Sequence, residues 1–189
     1  MPEPGVHVHQ HGESIKGAKE KDVLKKNAQF FFLNGNYEEN TGKIHNVIMA
    51  FDGKSKNVKK NNVEFKKLSD YIGFSNIVCF TPDDIELIKG APNLKRSFLD
   101  LTISQIDKEY LNSLTNYKRI LKARNEFLKK FENRDIDLIY LETLTESLIK
   151  EAKVIIQRRE GFLKQIEPYV NEIMNKLSSN NEAIEFLYE

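Results

Sequence analysis

An α+β chain is what this sequence predicts, with a small antiparallel β-sheet portion followed by a long antiparallel helical hairpin. Three observations lead there. Short β-rich runs between Phe30 and Phe65 are separated by the turn pairs Asp52-Gly53 and Asn61-Asn62. Tyr110, Leu114, Tyr117, Leu121, Leu128 and Phe131 recur at alternating three- and four-residue spacing, interrupted by Arg124. After a break at Asn133-Arg134-Asp135, Leu141, Leu148, Ile155, Phe162 and Tyr169 repeat every seven residues, with Ala152, Ile166 and Ile173 between them. Two apolar stripes of that period, joined by a short polar loop, call for two helices zipped side by side. At ~1.5 Å per residue each helix projects roughly 30 Å.

Taken in order, Met1 to Gly12 has no periodicity and reads as a flexible tail or the remnant of a tag. Phe30 to Leu33 is an aromatic and apolar strand, and Ile44 to Phe51 is β-rich and ends at Asp52-Gly53. The Val58 strand turns at Asn61-Asn62 into Val63 to Phe65. Leu68 to Ile72 makes a brief helix stopped by Gly73, and Ile77 to Phe80 reads as a strand buried on both faces. Thr81-Pro82-Asp83-Asp84 marks a helix start, with a capping hydroxyl, a proline suited to the first turn and two carboxylates that complement the dipole. Gly90 closes that turn and Ala91-Pro92 opens the next helix. Asp135 or Asp137 caps the second arm of the hairpin, Pro168 predicts a kink or a break within it, and Glu182 to Tyr188 looks like the beginning of a strand.

Composition narrows the function. With 40% apolar and 30% charged residues the 189-residue chain can bury a core, which argues against disorder throughout. No apolar run approaches the ~20 residues needed to span a bilayer, and the first residues lack the apolar segment of a signal peptide, so a cytoplasmic protein is expected. Cys79, the single cysteine, lies in an apolar run, which excludes an internal disulfide and a thiolate zinc cluster. The net charge of +1 excludes a uniformly basic nucleic-acid binder but permits a basic face. Lys54, Lys56, Lys59, Lys60, Lys66 and Lys67 are opposed locally only by Asp52 and Glu64, and such a run is either that face or a solvated loop.

Independent catalysis finds no support. Gly12 to Gly17 has the glycine spacing of a phosphate loop, but Ala18-Lys19-Glu20 follows where the Lys-Ser/Thr pair is needed. His45 is the only histidine outside the tail and has no Cys or second His nearby for a dyad. Glu38-Glu39 and Glu185-Glu189 sit in polar or terminal contexts that suit solvated charge. His7, His9 and His11 alternate and could chelate a divalent cation, though without a buried second shell.

Phe80-Thr81-Pro82-Asp83-Asp84-Ile85-Glu86-Leu87-Ile88-Lys89-Gly90-Ala91-Pro92, then Lys95-Arg96-Ser97-Phe98-Leu99-Asp100 and Ile103-Ser104-Gln105-Ile106, resembles a block of the RecF family of DNA replication and repair proteins. The likeness continues through Tyr110-Leu111, Tyr117, Arg119 to Lys122, Arg124-Asn125 and Leu128-Lys129. It extends upstream to Leu68 through Gly73, downstream to Arg158-Arg159-Glu160, and overall from about Ser14 to the end.

The resemblance implies part of an ABC/SMC-type ATPase head: 1–13 a tail, 14–80 the β-rich part of ATPase lobe I, 81–178 helical lobe II with its arm, and 179–189 the start of a returning strand. The family's nucleotide loop precedes the matched region, and its signature motif and Walker B strand follow it. The chain is therefore expected to be an internal piece that hydrolyses no ATP alone, although the full-length family is a weak ATPase using ATP and Mg. The family dimerises with ATP, binds DNA near single-strand/double-strand junctions, and acts with RecR and RecO in loading RecA during recombination, repair, replication and the SOS response. By the same resemblance Lys89, Lys95, Arg96, Arg119, Lys122 and Arg124 are the candidate nucleic-acid contacts, with no catalytic, cofactor or metal residue. Where the family shows three arginines this chain has Lys95, Arg96 and Ser97, so bidentate phosphate contact falls to Arg96. The bland reading leaves Lys95 and Arg96 in solvent or paired with Asp83, Asp84 or Asp100. The competing function is a free-standing coiled-coil interaction module with no nucleic-acid role.

Overall fold

The computed structural model describes residues 20–72, 74, 82–130, 137–179 and 181–188. The histidine tail, Gly73, the strand expected at Ile77 to Phe80 with Cys79, the Thr81 cap, Phe131 and the Asn133-Arg134-Asp135 break lie outside these. The chain divides into two compact units, Met1–Asp84 and Ile85–Glu189.

In the first unit a short helix α1 (Glu20–Val23) precedes a four-stranded antiparallel sheet, β1 (Phe31–Glu38), β2 (Ile44–Phe51), β3 (Lys56–Lys60) and β4 (Val63–Glu64), in sequential order. Each hairpin is set by its turn. Gly53 at φ 86° lets β2 reverse, and Asp52 braces that turn by accepting from the backbone N–H groups of Lys54 (2.9 Å) and Ser55 (2.7 Å) and from the Ser55 hydroxyl. Asn61 and Asn62 both take left-handed dihedrals (φ 49° and 67°), the geometry a two-residue hairpin demands. Pleating sends Val47, Met49, Phe51 and Val58 to one face, where Val47, Met49 and Val58 bury together with Tyr71 of α2 (Leu68–Tyr71) and with Tyr37, Phe65 and Phe74, while Phe51 meets the Phe31 ring. Burial pushes the Tyr71 hydroxyl up to about 12, helped by the neighbouring Tyr37.

His45 is on that buried face, 3% exposed, with its ring edge-on to Phe74. Asn61 Oδ1 accepts from the Asn46 N–H, which turns the Asn61 Nδ2 amide toward His45 Nδ1 (3.3 Å). Nδ1 is then an acceptor, and Nε2 donates to Glu39 Oε1 at 2.5 Å. The His45 hydrogen bond, followed by that of Thr41, holds the Glu39 carboxyl below its ordinary 4.5. The folded chain therefore binds fewer protons there than the unfolded one: the contact supports the β1–β2 hairpin above pH 4.5 and is lost as pH falls through the lowered value. Glu39→Gln is expected to remove that acid-side step from a pH series of the β1–β2 hairpin amide shifts, leaving the sheet register unchanged.

The second unit is helical: a 3-10 turn (Pro82–Ile85, which begins just before it), α3 (Glu86–Lys89), α4 (Pro92–Ile106), α5 (Lys108–Lys130) and α6 (Leu138–Ser178). Gly90 is required where α3 stops, because a Cβ there would sit 2.4 Å from the Glu86 carbonyl oxygen. Asp137 caps α6 by accepting from the Tyr140 N–H at 3.0 Å. Leu99 and Ile103 of α4, Tyr110 and Leu114 of α5 and Ile155 of α6 form one buried cluster, with Tyr117, Phe162 and Leu163 against it.

The two stripes do face each other. Asn116 lies opposite Glu151, Arg124 opposite Thr145, and the Phe127 and Tyr140 rings meet edge to face at 4.9 Å. Two details of the seam differ from expectation. Tyr169 and Ile173 are 70% and 59% exposed, because α5 begins at Lys108 and the pair Arg158–Glu109 already marks its end, so α6 runs on past its partner. Of the kink or break expected at Pro168, the break does not occur: α6 continues through it. Glu182 to Tyr188 carries no strand assignment; it runs along α6, with Asn171 bonding both the N–H (2.7 Å) and the carbonyl (2.8 Å) of Ile184, and Glu167 accepting from the Phe186 N–H (3.1 Å).

Candidate nucleic-acid interface

The exposed candidate cations of the helical unit sit on three elements. Lys89 ends α3, Lys95 and Arg96 occupy the first turns of α4, and Arg119 and Lys122 share one flank of α5, being three residues apart. All five are exposed, and neither Lys95 nor Arg96 forms an ion pair among the described residues. Asp100, one of the carboxylates that could have neutralised them, is engaged elsewhere. Lys122 is 3.8 Å from Glu126, a solvated pair worth at most ~1 kcal/mol. Arg124 differs from the others: it is half-buried and donates from Nε to the Thr145 hydroxyl at 3.2 Å, so it tethers the two helices. Five of the six candidate contacts are thus exposed, Lys122 of them beside Glu126, and one is committed to the hairpin.

What sequence reasoning missed is a buried polar network. Arg159 is 9% exposed and reaches Asp100 Oδ1 from Nη2 (2.6 Å) and Nε (3.1 Å), the Tyr110 hydroxyl from Nε (3.0 Å) and the Tyr188 hydroxyl from Nη1 (2.8 Å). Tyr110, fully buried, donates its hydroxyl hydrogen to the same Asp100 oxygen. Burial alone would lower the Arg159 guanidinium. Its bonds with Tyr188, Asp100 and Tyr110 outweigh that and hold it above its ordinary value. Burial first, then the Asp100 bond, pushes the Tyr110 phenol up. One guanidinium therefore ties α4, α5, α6 and the segment after α6 together. A signal was present: Arg159 falls four residues after Ile155 and three before Phe162, a seam position, and a charge inside an apolar seam calls for a buried partner.

Among the described residues no group of three or more His, Cys, Asp or Glu could hold a metal ion, and no helix is long and apolar enough to cross a membrane.

The architecture defines the class first: an α+β protein in which a small antiparallel sheet precedes a long helical hairpin. Comparison with known proteins then narrows the likeness. The chain is 35% identical over 185 residues to the DNA replication and repair protein RecF of Ligilactobacillus salivarius (strain UCC118), covering 97% of this chain and 48% of that protein. It is 33% identical over 184 residues to RecF of Enterococcus faecalis (strain ATCC 700802 / V583), covering 97% and 49%. A solved structure of the recombination mediator protein RecF-ATPrS in the RecFOR pathway superposes with TM-score 0.89 at 28% identity, over 95% of this chain and 48% of that one. A second, of RecF-ATP in the same pathway, gives TM-score 0.84 at 26% identity over 94% and 50%. No family model matches the chain. The chain spans about half the length of the curated relatives it matches, and across that half it is similar to RecF in sequence and in fold.

Proposed function

We propose that this chain is the DNA-engaging, non-hydrolysing portion of a RecF-like recombination mediator that works in the cytoplasm on gaps and junctions in DNA repair and replication. In this reading ATP and Mg are bound by other segments of a full-length protein, which dimerises with ATP and supports RecA loading with RecO and RecR. The likeness to RecF in both sequence and fold carries the proposal. Lys95 and Arg96, exposed and without an ion pair among the described residues, support it, since Arg96 offers a planar fork to phosphate and Lys95 a point charge. Lys89, Arg119 and Lys122 extend the same chemistry.

A fluorescence anisotropy titration with a labelled single-strand/double-strand junction tests the reading. Affinity is expected to fall steeply between about 50 and 200 mM salt, and replacing both Lys95 and Arg96 with alanine is expected to flatten the log–log salt slope by about 2. No association at any ionic strength would favour a second reading, a protein-interaction module. That alternative draws on Leu138 and Ile139, which are 71% and 80% exposed at the start of α6.

A further inference from the structure

Within α4 the spacing of charges is at odds with their pairing. Asp100 is the one carboxylate among its 15 residues, and it falls one turn after Arg96, at the i+4 position. Side chains at that spacing are neighbours on one flank of a helix, with Cβ atoms about 5–6 Å apart, so Arg96 and Asp100 are placed to pair. They do not. Arg96 is exposed and forms no ion pair among the described residues, whereas Asp100 turns to Arg159 of α6, 59 residues away in sequence.

The way the guanidinium is held explains the choice. Arg159 Nη2 and Nε both donate to Asp100 Oδ1, and the Tyr110 hydroxyl donates to the same oxygen. The remaining nitrogen, Nη1, donates to the Tyr188 hydroxyl at 2.8 Å. Tyr188 is fixed in turn by the extended segment that carries it, since Asn171 bonds both the N–H and the carbonyl of Ile184 and Glu167 accepts from the Phe186 N–H. Every nitrogen of the fork therefore has a partner. Rotating it away from Asp100 would break bonds to α4, to α5 and to the segment after α6.

We propose that Arg159 is a positioning residue for the candidate phosphate contacts: by clamping Asp100 at the base of the hairpin it keeps that carboxylate off Arg96 and leaves the Arg96 fork open. The inference rests on the proposed role of Lys95 and Arg96, and names what governs it. Without the clamp, a carboxylate whose side chain is 16% exposed needs a cation, and Arg96 is the one its own helix supplies a turn away. The two forms differ in which arginine Asp100 takes, so the same helix either presents a planar phosphate fork or neutralises it. Loss of the Tyr188 bond frees one nitrogen of the clamp and shifts the balance the same way, to a smaller extent.

Two measurements on the full chain test this. In the first, without ligand, NMR follows the Arg96 side-chain Nε–Hε signal, assigned by its loss in Arg96→Ala. Arg159→Met is expected to shift that signal and slow its exchange with water, and adding Asp100→Leu is expected to reverse both. In the second, the labelled junction is titrated at one fixed salt concentration. Arg159→Met is expected to bind it about tenfold more weakly and Tyr188→Phe about twofold, with Asp100→Leu restoring the affinity of the Arg159→Met chain. In an Arg96→Ala background Arg159→Met is expected to weaken binding no further, an outcome that general loss of structure would not give. Should Arg159→Met lose its helical circular dichroism, Arg159→Lys carries both measurements, because an ammonium lacks the fork that holds Asp100 and is expected to move the Arg96 signal the same way. An Arg96 signal unmoved in every folded Arg159 variant would overturn the inference, as would an equal weakening without Arg96. A shifted Arg96 signal in a chain whose junction affinity never depends on Arg96 would uphold the clamp on Asp100 while sinking the nucleic-acid reading, so the two failures are told apart.

Discussion

Replacing Arg159 with alanine is expected to destabilise the helical unit by about 3–5 kcal/mol, the cost of removing one partner of a buried ion pair. What the arginine leaves behind sets that cost. Asp100 is held among α4, α5 and α6, and its side chain is 16% exposed, so water cannot readily replace the two guanidinium bonds it loses. Tyr110 is fully enclosed and would keep only its bond to that carboxylate, while Tyr188 would lose the arginine contact that the structure gives it. Chemical denaturation followed by helical circular dichroism measures the cost. Arg159→Met combined with Asp100→Leu is expected to recover most of it, because the charges then leave together and only the tyrosine bonds are lost. A single Arg159→Ala cost below about 1 kcal/mol would mean that the network is solvated and carries nothing.

The same network marks where sequence reasoning stops. Local rules placed the hairpin turns, because Asn61, Asn62 and Gly53 take dihedrals that few other residues accept without strain. They narrowed the α6 cap to Asp135 or Asp137, of which Asp137 takes the role, and placed the end of α3 at Gly90 for similarly local reasons. Periodicity identified which faces of α5 and α6 are buried, since a seven-residue repeat is itself the geometry of a seam. These rules opened α4 at Ala91-Pro92 but do not report what it packs against, and Leu99 and Ile103 join it to the base of the hairpin. Nor do they pair Asp100 with Arg159 across 59 residues, a contact fixed by tertiary packing alone. Of the six candidate cations, the sequence could not separate Arg124 from the rest. Its interruption of an apolar stripe was visible, but the bond to Thr145 that explains it depends on the register between two helices.

That register also yields a sharp contrast between two residues the heptad treats as equals. Ile155 and Tyr169 are two repeats apart on the same stripe, yet one is 4% exposed and the other 70%. Ile155 packs with Leu99, Ile103, Tyr110 and Leu114, where three helices converge, so Ile155→Ala opens a cavity that close-packed neighbours cannot collapse. The expected loss is about 3 kcal/mol, within the 2–5 kcal/mol range for such truncations. Tyr169 lies beyond the point where α5 begins, and Tyr169→Ala is expected to change stability by no more than about 0.5 kcal/mol. Urea midpoints of the two variants against the unaltered chain, with unchanged m-values, test both. Equal destabilisation by the two would place Tyr169 on a working seam and extend the zipped part of the hairpin past Lys108; a negligible Ile155→Ala cost would mean that α4 does not close the base of the arm.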